Sequence, residues 1–217
     1  MSRPKLQLAL DNHDLSNSLA SAQKAQSQVD VMEVGTMLAF ENGMKAVRIM
    51  KSLFPEHIVL ADIRIIKAGG KLAKLAFDSG ADWVTVMSDA SNDTIEAVVK
   101  EVKSRENKDV QIEINQSFTS EQTDYWRSLG ITQLIYHRSS EVVEEEVKWT
   151  PEVILELKNL ADKGFQLSIT GGLSVDEIKL FKDVPVYCFI AGRKIANSPE
   201  PFQAAKQYKD EIIHVFG

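Results

Sequence analysis

Short apolar runs alternate with longer amphipathic stretches along the whole chain. Eight runs read as strands: 6–10, 29–34, 58–63, 83–87, 110–114, 133–136, 166–169 and 186–191. Each is rich in β-branched or aromatic residues. Near-continuous apolar stretches such as Ile58-Val59-Leu60-Ala61 suit parallel strands covered on both faces. The segments between them have helical spacing. Met44, Val47, Met50 and Leu53 mark one face of the second, and Ile154, Leu157 and Leu160 one face of the sixth. Ser120 with Gln122 and Thr123, and Ser174-Val175-Asp176-Glu177, read as helix starts.

Strand–helix units of this kind average about 27 residues over 217 residues, the size of one strand, one helix and two short loops. The pattern predicts a (β/α)8 TIM barrel of the ribulose-phosphate-binding type, filling 1–217 as one domain. An open doubly wound sheet usually has a glycine-rich first turn. Here the first strand ends in Asp11-Asn12-His13-Asp14, so the barrel is preferred.

Composition adds exclusions. A net charge of -6 gives no broad basic surface for nucleic acid, yet leaves room for a locally positive pocket. No run approaches the length of a membrane span, and the N-terminal apolar run is too short for a signal peptide. The single cysteine, Cys188, lies in Val186-Tyr187-Cys188-Phe189-Ile190 and reads as a small buried hydrophobe. Cysteine usage suits a reducing cytoplasm, so a cytoplasmic location is expected. The acidic run 141–146 reads as a solvated segment.

In this barrel class chemistry sits just past the strand C-termini. Those positions hold Asp11, Glu33, Asp62 with Arg64, Ser88 with Asp89, Glu113, His137 with Arg138, Thr170-Gly171-Gly172, and Gly192-Arg193. Glu33 and Asp62 end adjoining strands. They fit either a Mg²⁺ site made of hard oxygen ligands or caps on the following helices. The glycines after strands seven and eight fit either tight turns or a phosphate site, with backbone N–H groups and Arg193 as donors. His137 alone would be a structural histidine. Opposite Glu113 it becomes a candidate proton relay.

The ordered set of motifs resembles the 3-keto-L-gulonate 6-phosphate decarboxylase family, within the orotidine monophosphate decarboxylase superfamily. It is carried by Leu6-Gln7-Leu8-Ala9-Leu10-Asp11, Asp30-Val31-Met32-Glu33-Val34-Gly35-Thr36, Gly80-Ala81-Asp82-Trp83-Val84-Thr85 and Val110-Gln111-Ile112-Glu113. It continues through Ile135-Tyr136-His137-Arg138-Ser139, Ser168-Ile169-Thr170-Gly171-Gly172 and Phe189-Ile190-Ala191-Gly192-Arg193. Hexulose 6-phosphate synthase is the nearest functional relative. The resemblance implies decarboxylation to L-xylulose 5-phosphate through an enediolate, in ascorbate catabolism. It implies Mg²⁺ on Glu33 and Asp62, and protonation near Glu113 and His137. Asp11 would touch substrate hydroxyls, and Thr170, Gly172, Gly192 and Arg193 would hold the phosphate. A homodimer with shared sites is also implied.

The central motif departs from the family. Its third strand carries Asp-x-Lys-x-x-Asp, where this chain reads Asp62-Ile63-Arg64-Ile65-Ile66-Lys67. Arg64 thus stands where the enediolate-stabilising lysine is expected. Lys67 replaces an aspartate that reaches the neighbouring subunit's site, and it brings a like charge towards Arg64. Ser140 replaces an arginine of the sixth loop, and 87–89 and 115–117 also differ. Arginine keeps the charge but is longer, planar and unable to lose its proton. Three readings follow: a decarboxylase with a rearranged cation acting through Asp62, Arg64, Lys67, Glu113 and His137; an aldolase related to hexulose 6-phosphate synthase; or a sugar-phosphate binder without turnover.

Overall fold

The computed structural model describes residues 3–114, 118–138 and 149–217. Ser140, 115–117 and the acidic run 141–146 lie outside the described residues. Eight strands close into a barrel in chain order: β1 (Lys5–Leu10), β2 (Val31–Val34), β3 (Ile58–Ile65), β4 (Trp83–Met87), β5 (Asp109–Ile114), β6 (Gln133–His137), β7 (Gln166–Thr170) and β8 (Val186–Ala191). All pairings are parallel, and β8 returns to β1 through Leu6↔Phe189 and Leu8↔Ala191. The expected (β/α)8 TIM barrel is the architecture found.

The intervening helices are α1 (Leu15–Ala25), α2 (Thr36–Asn42), α3 (Met44–Leu53), α4 (Gly69–Asp78), α5 (Asn92–Lys103), α6 (Ser120–Ser128) and α7 (Pro151–Asp162). A 3-10 helix, Val175–Phe181, stands where the seventh crossover would place an α-helix, followed by α8 (Arg193–Ala196) and α9 (Pro201–Phe216). Side chains cap the helix starts. Asp14 accepts from the Ser16 and Asn17 N–H groups, Thr119 forms a capping box with Gln122, and Thr150 precedes Pro151 at the first position of α7.

Two expectations shift. The second amphipathic segment is not one helix, because Gly43 (φ 60°) breaks it into α2 and α3. Within α3 the buried face is Ala46, Val47 and Met50, while Leu53 faces solvent. The second strand also starts later than expected. Val29 and Asp30 precede it, and the Asp30 N–H donates to the Leu6 carbonyl.

The main core lies between the strands and the helices, and includes Leu6, Leu8, Met32, Val59, Phe181 and Phe189. The barrel interior is different. Two small apolar groups, one of Val31, Leu60 and Trp83 and one of Ile135, Cys188 and Ile190, share it with buried polar residues Gln7, Thr85, Gln111, Gln133 and Ser168. Gln111 donates to Gln133 Oε1 (2.8 Å), and Gln133 donates to Asp109 (2.5 Å). These amides lie beneath the strand-end carboxylates, so a polar layer supports the site from below. Cys188 is fully buried, as expected, and burial pushes its thiol pKa up. Among the described residues no helix is long and apolar enough to cross a membrane.

Candidate active site

Strand alternation aims Glu33, Asp62, Glu113 and His137 to the same end of the barrel. Glu33, Asp62 and Glu113 are each more than nine-tenths buried, which is rare for carboxylates unless they are partnered. Their partners come from neighbouring strands. Gln7 Nε2 on β1 donates to Glu33 Oε2 at 2.5 Å. Asp62 accepts at both oxygens: from Thr36 Oγ1 at 2.7 Å and from Thr85 Oγ1 at 2.7 Å. Glu113 Oε1 meets His137 Nδ1 at 2.9 Å, so the β5–β6 pair brings these two side chains together. A carboxylate oxygen can only accept, so the Nδ1 atom carries the proton and Nε2 is left for other work.

Arg64 closes the group. Its Nε lies 3.6 Å from Asp62 Oδ2, and its Nη2 lies 3.3 Å from Glu113 Oε1. One guanidinium therefore faces two buried acids on strands two apart in the barrel. Its backbone has φ 43°, in the left-handed region that arginine rarely adopts. Lys67 is exposed and, among the described residues, makes no hydrogen bond or ion pair. The charges that orient Arg64 are Asp62 and Glu113, so a lysine at 67 does not leave Arg64 without partners.

The electrostatics are lopsided. Burial pushes the Glu33 carboxyl well above the usual carboxylate range, and nearby Asp62 adds to it; the Gln7 hydrogen bond works the other way. Burial and then the Glu113 charge raise Asp62, while Thr36, Thr85 and Arg64 pull it down. Burial opposes the charge on Arg64, but Glu113 and Asp62, with Glu33 and Asp11, outweigh it and raise its pKa. Several acids thus converge on one cation.

Asp11 follows β1 and is exposed; its Oδ1 accepts from the Met37 N–H (2.8 Å) in the first turn of α2. One of its oxygens is therefore a helix cap. The glycine corner lies on the other side of the mouth, where β7 pairs with β8. Gly171 (φ 110°) and Gly172 (φ 68°) turn the chain after the half-buried Thr170. A Cβ at Gly171 would lie 2.3 Å from the Arg138 carbonyl oxygen, so only glycine fits. Arg138 braces this turn: Nε donates to the Gly171 carbonyl (2.9 Å), Nη1 to Glu177 (2.8 Å), and its guanidinium stacks over Trp149. Gly192 precedes α8, whose first residue, Arg193, is exposed at the adjacent strand end.

This arrangement has known counterparts. Residues 4–208 match the orotidine 5'-phosphate decarboxylase / HUMPS family. The chain belongs to that family. The 3-keto-L-gulonate-6-phosphate decarboxylase UlaD of Escherichia coli is 41% identical over 217 residues, covering 100% of both chains. Crystal structures show the same likeness. KGPDC of Streptococcus mutans, in its sugar-phosphate complex, superposes with a TM-score of 0.96 at 37% identity, covering 100% of each chain. A 3-hexulose-6-phosphate synthase superposes with a TM-score of 0.87 at 27% identity, covering 95% of this chain and 99% of the other.

Sequence reasoning did not single out Gln7, Thr36 or Thr85 as partners of the acids. A signal was present. Gln7 and Thr85 are polar residues at inward positions of otherwise apolar strands, where an unpaired polar group is costly.

Proposed function

We propose that this family member is a carboxy-lyase that converts 3-keto-L-gulonate 6-phosphate to L-xylulose 5-phosphate and CO2. The observation that carries this reading is Arg64, held between Asp62 and Glu113 inside the acid cluster. The third strand lacks the family's lysine but still presents a fixed cation to the space where charge would develop. That favours turnover over a binder without catalysis. Relatives named as the decarboxylase share 41% of residues, against 27% for the synthase, which favours CO2 loss over aldol chemistry.

Glu33 and Asp62 suit Mg²⁺. Glu33 is a desolvated acid crowded by other acids, with one neutral amide for a partner. Among the described residues no group of three or more acidic, histidine or cysteine side chains forms a closed cage. Two carboxylates completed by water and substrate oxygens are the usual Mg²⁺ arrangement. When bound, such an ion supplies Lewis-acid stabilisation to substrate oxygens. The chain's own residues do the rest. Arg64 offers fixed positive charge to the enediolate left when CO2 departs. His137, with Nδ1 committed to Glu113, directs Nε2 towards proton delivery. Asp11 Oδ2 accepts from substrate hydroxyls. Thr170, Gly172, Gly192 and Arg193 hold the phosphate, which anchors the sugar with its reacting carbons towards Arg64.

The reading extends to a cytoplasmic homodimer. Exposed Met37 and Phe40 on α2 and Ile66 beside Lys67 give one apolar face for a second copy. Light scattering of Phe40→Glu against the wild type tests this, with a monomer expected. The chemistry is tested by NMR with Mg²⁺ in two parallel reactions. CO2 loss from 3-keto-L-gulonate 6-phosphate is expected, without formaldehyde condensation onto D-ribulose 5-phosphate. The opposite pattern would replace the decarboxylase with the synthase reading.

A further inference from the structure

We infer that Thr85 is a positioning residue for this reaction: its hydroxyl locks Asp62 and the backbone of Arg64 into one unit. The inference rests on the decarboxylase reading above. β3 and β4 pair through Ala61↔Val84 and then Ile65↔Val86, with a register shift between. Asp62, Ile63 and Arg64 therefore stand opposite Thr85 alone. A bulge of this kind leaves backbone groups without ladder partners and re-aims side chains.

Thr85 supplies the missing partner. Its Oγ1 accepts from the Arg64 N–H at 2.9 Å and donates to Asp62 Oδ1 at 2.7 Å. The directions are fixed, because a carboxylate only accepts and an amide N–H only donates. Thr85 is fully buried, so water cannot take over either bond. The second Asp62 oxygen is held by Thr36 Oγ1, which pins the carboxylate at both ends. Arg64 sits at φ 43°, a conformation that persists only where its surroundings over-determine it. The bulge gives Arg64 that backbone, and its guanidinium then reaches both Asp62 and Glu113. A single hydroxyl thus couples the acid and the cation that act on the same reacting atoms.

The test compares Thr85→Val, Thr85→Ala and Thr85→Ser with wild type, using 3-keto-L-gulonate 6-phosphate and Mg²⁺. Valine keeps the shape and removes the hydroxyl. Alanine removes it without adding a methyl group, which covers the case in which valine does not fold. We expect kcat to fall about 10–100-fold in both, the usual range when a partner of a reacting group is lost. KM should stay near the wild-type value, because the phosphate corner is untouched, and serine should restore most of kcat. Wild-type kcat in the alanine variant overturns the proposal, as does a serine variant as slow as alanine. If the wild type itself releases no CO2, the functional reading fails, and crystal structures decide the positioning claim separately. Arg64 leaving the left-handed region in Thr85→Ala supports it; unchanged Asp62 and Arg64 overturn it.

Discussion

The two sides of the barrel mouth are built in opposite ways. At the β7–β8 corner the binding groups are largely backbone, shaped by glycines at φ 110° and 68° and braced by Arg138. At the β3 end they are side chains. Buried acids and one arginine hold each other, on a backbone that has no glycine to relieve it. The first design tolerates little change in shape. The second tolerates little change in charge, yet a cation of different shape can be fitted if its neighbours hold it. That contrast explains how Arg64 and Lys67 can replace the family's residues while the glycine corner keeps the family pattern.

The predictions probe that contrast in order of effect. Asp62→Asn should reduce kcat by at least about 10²-fold, since a fixed charge in the reacting space is lost; steady-state kinetics with an unchanged melting temperature would place the loss on the charge side. Gly171→Ala should cost more than about 1–3 kcal/mol of stability, measured by denaturant unfolding, because it adds a backbone clash to a disfavoured φ. Arg193→Ala should weaken phosphate binding by about 1.5–3 kcal/mol, roughly tenfold to a hundredfold in KM, with kcat retained. Unchanged affinity would remove Arg193 from the phosphate site.

The smallest effect concerns pH. Burial works to raise Glu177, but hydrogen bonds from the Ser174 N–H and Arg138 win and hold it below the ordinary glutamate value. A depressed carboxylate stabilises the fold above its unfolded pKa, and the gain disappears as pH falls through its lower folded value. Glu177 is partly exposed, so the contribution is about 1 kcal/mol or less. The melting-temperature gap between wild type and Glu177→Gln should therefore be open at pH 6 and close below about pH 4.3. A gap that stays constant with pH would assign the bracing to shape alone.

Legibility in the sequence followed the same divide. The strands were readable because parallel barrel strands are apolar runs of fixed length, and Thr170-Gly171-Gly172 was readable because glycine announces positive φ. Asp62 and Arg64 stood out as charges at a strand end. The left-handed conformation of Arg64 did not, because nothing in Asp-Ile-Arg-Ile announces a bulge. Its cause, the Thr85 hydroxyl, lies 21 residues further along the chain. The pairing of Glu113 with His137 was legible only as an adjacency of strand ends; the 2.9 Å contact needed the closed barrel. The 3-10 helix after Ser174 kept its predicted capping box but not its predicted helix type.

The central claim is that Arg64 is a working cation in a decarboxylase. Its most direct test is kcat for CO2 release from 3-keto-L-gulonate 6-phosphate with Mg²⁺, in wild type and Arg64→Ala. Turnover by the wild type and a loss of about 10²–10³-fold in Arg64→Ala, the range for a lost electrostatic stabiliser, are predicted. An equal rate in the two proteins, or tight binding of L-xylulose 5-phosphate by a wild type that releases no CO2, would contradict it.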